Sequence, residues 1–113
     1  MKAFLFILIS LYIVPESTPF FKKGVVLVQY NAEFNKSNNV NLSDISDAKI
    51  IDAWIDEDAE YMVFGNVKSV PTIVLYNDRE EVARWEADLS MTLKVKSEDI
   101  QKEIDKLTGI NKF

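Results

Sequence analysis

The side chains that perform most nucleophilic and acid–base chemistry near neutral pH are missing from this sequence. It contains no cysteine and no histidine. The chain therefore lacks a thiolate nucleophile, an imidazole base and the usual sulfur and nitrogen ligands of zinc. Carboxylates, lysine, tyrosine, serine and threonine remain, and without a base of near-neutral pKa they are poor candidates for catalysis. We predict no enzymatic activity, no metal site and no cofactor.

The densest group of chemically capable residues is the acidic run Asp56–Glu60. It resembles a calcium-binding EF-hand loop only loosely, because the glycine of the turn and the closing glutamate are absent. Acidic side chains in the first turn of a helix are stabilised by the helix dipole. The pattern therefore favours the beginning of a helix over a cation site.

The composition predicts one packed domain over residues 1–113. The hydrophobic content is 48%, which supplies one core, and the charged content is 27%. The net charge of -5 disfavours nucleic acid as a partner. Lysine greatly outnumbers arginine, and asparagine and isoleucine are frequent. That bias is typical of AT-rich genomes, including those of many phages and low-GC bacteria.

The first fourteen residues have two interpretations. Lys2 precedes the apolar run Ala3–Val14, as in a secretory signal, which would make the protein exported or membrane-tethered. The run is shorter than the roughly 20 residues that span a bilayer, and Pro15–Pro19 lacks a small-residue cleavage site. A strand covered on both faces also reads as a continuous apolar run. We favour a first core strand and keep export as the alternative.

The elements that would position any site follow in an alternating order. Strands are predicted at Val25–Tyr30, Lys49–Asp56, Val70–Tyr76 and Glu81–Ala87, with the last two forming a hairpin and Met91–Val95 extending it or adding a short strand. Helices are predicted at Glu57–Gly65 and from Ser97, as N-cap, to Gly109, with short ones at Phe20–Lys23 and within Asn31–Asp47.

This order of elements resembles that of the thioredoxin family. Gln29–Asn38 is similar to the family's strand end and active-site turn. Val70–Thr72 resembles its cis-proline motif, and Ile73–Ala83 resembles its hairpin. The resemblance implies a thioredoxin-like α/β fold, with a central mixed sheet of about five strands flanked by helices.

The sequence departs from the family at the positions that carry its chemistry. The resemblance places Asn35 and Asn38 where the family has its two redox cysteines, and Gln29 where it buries a carboxylate. Disulfide exchange needs a nucleophilic thiolate and a resolving thiol. The chain is therefore similar to a redox-inactive member of the family.

The resemblance also implies a partner-binding surface beside the turn and the proline motif. Its candidate residues are Phe34, Lys36, Ser37, Val70, Pro71, Thr72 and Asp88. Two plainer interpretations compete with it. The Asn35–Asn39 run has the composition of a solvated loop, with Asn38 or Asn41 capping the short helix, and Pro71 need only shape its turn.

The groove itself is expected to differ from that of the family. Asp88 stands where many members have a glycine that lines a flat peptide groove, and Ser90–Val95 looks like an insertion. These changes predict a groove that is reshaped or blocked.

The function that fits these observations is a non-catalytic protein–protein interaction or structural module. Its partner would be another protein. It would act in the cytoplasm or within a larger assembly such as a phage particle. An exported or membrane-tethered protein of the same fold is the alternative, and a cysteine-free enzyme on this fold is the least favoured.

Overall fold

Four strands form one mixed sheet in the computed structural model, which describes Phe21 and residues 23–109. The strands are β1 (Val25–Asn31), β2 (Lys49–Trp54), β3 (Thr72–Asn77) and β4 (Glu80–Glu86). Their order across the sheet is β2-β1-β3-β4. β1 and β2 are parallel, whereas the β1–β3 and β3–β4 pairs are antiparallel.

Three helical segments connect or flank these strands. They are a 3-10 helix (Glu33–Asn38), α1 (Ala59–Gly65) and α2 (Ser97–Thr108). The predicted α/β class, the mixed sheet and the closing hairpin are confirmed. The described residues contain four strands rather than about five, because the predicted first strand, Ala3–Val14, lies outside them. Phe20 and Lys22 of the predicted short helix Phe20–Lys23 also lie outside them.

β1 is buried on both of its faces, as its uninterrupted apolar sequence predicts. Val26, Val28 and Tyr30 join one apolar cluster, and Leu27 joins the other. Successive side chains of a strand point to opposite faces, so a central strand with helices on both sides needs apolar residues at every position. The exceptions are two buried amides, Gln29 within the strand and Asn31 at its end.

The helices cover opposite faces of the sheet. Tyr61 of α1 packs against the first cluster, while Ile100 and Ile104 of α2 lie fully buried in the second. The predicted last helix is therefore confirmed. The predicted N-cap is wrong: Ser97 is already helical, Lys96 occupies the cap position without a side-chain bond, and the Lys96 carbonyl accepts the Asp99 N–H at 3.0 Å.

α1 begins two residues later than predicted and ends at the predicted glycine. Asp58 caps it, accepting the Glu60 N–H at 2.9 Å, and so explains part of the acidic run. Gly65 is its last residue and lies against the ring of Tyr30, while Asn66 adopts the left-handed conformation that ends the helix.

The strand predicted at Met91–Val95 does not form. Met91 has a φ of 61°, and its N–H donates to the Asp88 carbonyl at 3.0 Å, which closes a tight turn. The Asp88 carboxylate also accepts the Ser90 N–H at 2.9 Å. The alternation of apolar and polar residues there predicts a strand, but local hydrogen bonds of Asp and Ser stabilise the turn instead.

Candidate functional site

The predicted site residues meet where β1 ends and β3 begins. Tyr30 at the end of β1 is the register partner of Thr72 at the start of β3. The Val70–Pro71 peptide bond just before Thr72 is cis. The 3-10 helix leaves β1 after Ala32 and turns back over this junction, which brings Asn35 to the Val70 carbonyl.

Asn35 is buried rather than solvated, with an exposed fraction of 4%. Its amide nitrogen lies 3.2 Å from the Asn31 side-chain oxygen, 3.3 Å from the Val70 carbonyl and 3.1 Å from the Met91 carbonyl. The prediction of a solvated loop is therefore wrong at this residue. An asparagine amide carries two donor hydrogens, which these three acceptors share. Asn35 ties together three separate segments of the chain.

Neighbouring asparagines complete what we call the amide network: Asn31, Asn35, Asn38 and Asn39. Asn38 donates to the Asn35 side-chain oxygen at 2.7 Å, and Asn31 donates to that of Asn39 at 2.7 Å. No buried side-chain nitrogen or oxygen in the described part of the chain lacks a hydrogen-bond partner. Asn31 was not among the predicted site residues. The one signal for it in the sequence is that it is a polar residue at the end of an apolar strand.

Neither predicted asparagine cap of the short helix is present. Asn38 is used in the amide network, and the 3-10 helix has no side-chain cap. The Asn41 side chain accepts the Ser43 N–H at 2.9 Å in a separate turn. The tertiary hydrogen bonds of the network replace the local ones that sequence predicts.

Gln29 forms a two-point contact with the backbone of Val40. Its side-chain nitrogen donates to the Val40 carbonyl at 3.0 Å, and its oxygen accepts the Val40 N–H at 2.7 Å. A neutral amide satisfies one donor and one acceptor together, whereas an ionised carboxylate only accepts. Gln29 therefore anchors the loop that follows the 3-10 helix.

The chemistry available at this junction is limited. Amide side chains are neither nucleophiles nor bases at neutral pH, so thioredoxin-type disulfide exchange has no reacting group at Asn35 or Asn38. The nearby Tyr30 and Tyr76 hydroxyls are 2.8 Å apart in the core. Burial, and then the hydrogen bond to Tyr76, raises the pKa of Tyr30, and burial raises the pKa of Tyr76. Both therefore stay protonated and supply no base.

A cavity of about 270 Å³ opens beside the junction, and we call it the apolar groove. Its apolar lining consists of Phe34, Ile55, Met62, Val67, Val70, Leu89 and Met91. Phe34 is 74% exposed and Leu89 is fully exposed, so large apolar side chains face solvent at the groove. Lys68, Ser69 and Asp88 add its polar lining.

Only some residues of the predicted partner surface line the groove. Phe34, Val70 and Asp88 line the groove. Pro71 and Thr72 are buried and Lys36 and Ser37 are exposed, and none of the four lines the groove. Sequence reasoning missed Met62, Leu89 and Met91, of which the last two had a signal: apolar residues in an otherwise polar loop.

The segment after β4 lines the groove and does not block it. The turn at Asp88–Met91 forms one wall and leaves the cavity open. Hydrogen bonds from the Ser90 hydroxyl, and next from its N–H, hold the pKa of Asp88 below its usual range. Asp88 is therefore charged at neutral pH.

Phe21 and residues 23–109 contain neither a candidate metal site nor a candidate membrane span. In that part of the chain no three acidic side chains are grouped so as to hold a metal ion. No helix there has the length and apolar character needed to cross a membrane.

Comparison with known proteins supports the fold through structure rather than sequence. No protein-family model matches the chain, and no curated protein sequence matches it. Solved structures do match. The malaria parasite thioredoxin-2, described as a component of a protein secretion machinery, aligns with a TM-score of 0.59 and 19% identity over 80% of this chain and 89% of its own.

Two further thioredoxins give similar values. That of Schistosoma mansoni aligns with a TM-score of 0.57 and 19% identity, covering 86% of each chain. A mutant thioredoxin of Halobacterium salinarum aligns with a TM-score of 0.56 and 21% identity, covering 74% of each chain. Identities this low support the fold alone. The chain has a thioredoxin-like α/β fold that contains no cysteine.

Proposed function

We propose that this protein is a redox-inactive interaction module that binds an extended segment of a partner protein in the apolar groove. The observation that carries the proposal is the exposure of Phe34 and Leu89 at the groove, where they contribute little burial to the fold. Burying a side chain of this size contributes roughly 1.5–3 kcal/mol. Aromatic side chains in particular are enriched among residues that dominate binding energy.

The amide network supports this proposal by holding the groove in place before a partner arrives. Asn35 contacts the carbonyls of Val70 and Met91, and both of these residues line the groove. A preorganised surface loses less conformational entropy on binding. The hydrogen bonds from Asn35 to Val70 and Met91 therefore support partner recognition as well as stability.

The size and lining of the groove favour side chains of a polypeptide over a cofactor. Its volume of about 270 Å³ is slightly below the roughly 300–1,000 Å³ of typical small-molecule pockets. Its few polar groups are Lys68, Ser69 and Asp88. We infer that it accepts one or two apolar side chains from an extended segment.

The absence of redox activity is tested by an insulin disulfide reduction assay with the full chain. We expect no turnover above the rate of the reductant alone, because no thiolate is present. Turnover in proportion to protein concentration would contradict the redox-inactive part of the proposal.

Binding is tested by selection from an unbiased displayed peptide library. We expect the wild-type protein to enrich related peptides, and the Leu89→Ser variant to lose their binding, because Leu89 is fully exposed at the groove. Val82→Ser is the matched control, since Val82 is exposed on β4 and does not line the groove. Failure to enrich any peptide, or equal loss in both variants, would contradict groove binding.

A further inference from the structure

The two walls of the apolar groove differ in charge. Phe34, Ile55 and Met62 form the first wall. Each lies close in sequence to acidic residues: Phe34 follows Glu33, and Ile55 and Met62 bracket the acidic run Asp56–Glu60. This inference rests on the proposed function and concerns the chemistry of the segment that the groove binds.

A direct contact places these acidic segments side by side. The Glu33 N–H donates to both oxygens of the Asp56 carboxylate, at 3.3 and 3.2 Å. Glu33, Asp56, Glu57, Asp58 and Glu60 are all exposed. They come from two separate parts of the chain and converge at one wall of the groove.

These carboxylates are not neutralised by neighbouring cations. The ion pairs found among the described residues join Arg84 to Glu81 and Glu86, and Lys106 to Glu103. None includes a residue of the acidic wall. The basic residues next to the groove lining or within it are Lys36, Lys68 and Lys94, the last of which lies near Asp88. Asp88 itself adds a further negative charge to the groove.

The potential at the groove is therefore negative, with six carboxylates against three ammonium groups among the residues named above. Charges within about 10 Å of each other interact appreciably at 0.1 M salt. A cationic segment that approaches the groove would be attracted, whereas an acidic segment or a nucleic acid would be repelled.

We propose that the segment bound in the groove is an extended peptide with apolar side chains and a lysine- or arginine-rich end that lies along the acidic wall. The apolar side chains enter between Phe34 and Leu89. The basic end contacts the carboxylates of Glu33 and the Asp56–Glu60 run. Charge then selects among peptides that the apolar lining alone would bind equally.

Three synthetic peptides test this proposal with the full chain. They share an alternating leucine–threonine core of seven residues and differ at one end, which carries three lysines, three glutamines or three glutamates. We expect the lysine peptide to bind at least tenfold more tightly than the glutamine peptide, and the glutamate peptide more weakly still. The differences should shrink at 0.5 M NaCl, because salt screens exposed charges.

Charge-reversed variants locate the effect on the acidic wall. In Glu57→Lys/Glu60→Lys we expect the preference for the lysine peptide to disappear. Asp44→Lys/Glu80→Lys is the control, because both residues are exposed and lie away from the groove lining. This double variant has the same net charge as Glu57→Lys/Glu60→Lys. It should keep the preference. Thermal unfolding of each variant verifies that it is folded.

The outcomes separate this inference from the proposed function. Equal affinities for the three peptides, all lost in Leu89→Ser, would overturn charge selection and leave groove binding in place. An unchanged preference in Glu57→Lys/Glu60→Lys would overturn the acidic wall. Binding of none of the peptides, or sedimentation showing that a second copy of the chain fills the groove, would overturn the inference, while the library selection still decides the proposed function.

Discussion

Asn35 and Gln29 show how buried polar side chains can support a fold. Each is almost fully buried, and each makes hydrogen bonds that join distant segments. A buried amide left without partners would destabilise the fold by several kcal/mol. The pairing seen here makes both residues part of the core.

Removal of the Asn35 amide should destabilise the protein substantially. Asn35→Ala leaves the buried Asn31 side chain and the Val70 carbonyl with fewer donors. Unsatisfied buried polar groups cost about 1–3 kcal/mol each. We expect the free energy of unfolding to fall by about 2–4 kcal/mol in urea denaturation.

The control for this substitution is Asn41→Ala. Asn41 is exposed and makes one turn hydrogen bond, to the Ser43 N–H. Its loss should lower the free energy of unfolding by less than about 1 kcal/mol. Equal effects of the two substitutions would show that the amide network does not stabilise the fold.

Restoring an acid at position 29 should make stability depend on pH. In Gln29→Glu, burial and the facing Val40 carbonyl favour the protonated side chain, which can still donate and accept. The folded-state pKa of the glutamate then lies above its unfolded value of about 4.3. The variant should therefore match the wild type below about pH 4 and lose stability as pH rises, by about 2–4 kcal/mol at pH 7.

A surface glutamine offers the matched control. Gln101 makes the same two-point contact, accepting the Ser46 N–H at 2.9 Å and donating to the Ser46 carbonyl at 3.0 Å. Unlike Gln29 it is only half-buried, and its amide also donates to the Asp105 carboxylate at 3.1 Å. Gln101→Glu should change the free energy of unfolding by less than about 1 kcal/mol, because water solvates the charge. Chemical denaturation from pH 4 to pH 8 measures both variants.

At the scale of elements, α1 is fitted to the sheet through its last residue. A Cβ atom added at Gly65 would lie 2.6–2.9 Å from three ring atoms of Tyr30, which is fully buried and hydrogen-bonded to Tyr76. Arg84 of β4 then donates to the Gly65 carbonyl at 2.6 Å. The end of the helix is thereby held against both β1 and β4.

Gly65→Ala should destabilise the protein although alanine favours helices. The backbone at Gly65 is helical, so the loss of stability would come from the clash of the added methyl group with Tyr30. Overpacking of this kind costs typically 1–3 kcal/mol, and we expect a loss near the upper end, about 2–3 kcal/mol. Thermal or urea unfolding measures it.

A double-mutant cycle identifies the cause. In a Tyr30→Leu background the ring is gone, and Gly65→Ala should then have an effect of less than about 1 kcal/mol. Full destabilisation in that background would mean that something other than the ring opposes the added methyl group.

The sequence predicts the elements of this fold better than their ends. Uninterrupted apolar runs identify β1 and β3, and the Ile100, Ile104 and Leu107 stripe identifies α2, because burial alone determines those patterns. The prediction of an extra strand at Met91–Val95 is wrong, because the alternation of apolar and polar residues there belongs to a turn and to a wall of the groove. Helix starts shift by one or two residues where a neighbouring residue supplies the cap.

The meeting of the two candidate-site segments is predictable from sequence, but the contacts between them are not. The segment Gln29–Asn38 and the proline motif do meet, as their resemblance to the thioredoxin family implies. The burial of Asn35 could not be read from a polar run, because its partners at Val70 and Met91 are 35 and 56 residues away. Long-range hydrogen bonds leave no local pattern in sequence.

At the scale of the whole molecule, the protein combines a packed fold with an apolar groove that Phe21 and residues 23–109 leave open. Phe34 and Leu89 face solvent there, and exposed carboxylates border one wall. Leu89 contributes little to stability because it is fully exposed. Leu89→Ser should therefore change the free energy of unfolding by no more than about 0.5 kcal/mol while it abolishes peptide binding.

The central claim is that a polypeptide segment docks in the apolar groove of a fold that has no redox chemistry. An NMR titration of the isotope-labelled full chain with a library-selected peptide tests it most directly. We predict that the largest amide shift changes fall at Phe34, Leu89 and Met91, with Val82 and Lys102 unaffected. Shift changes centred on β4 and α2, with the groove residues unchanged, would contradict the claim.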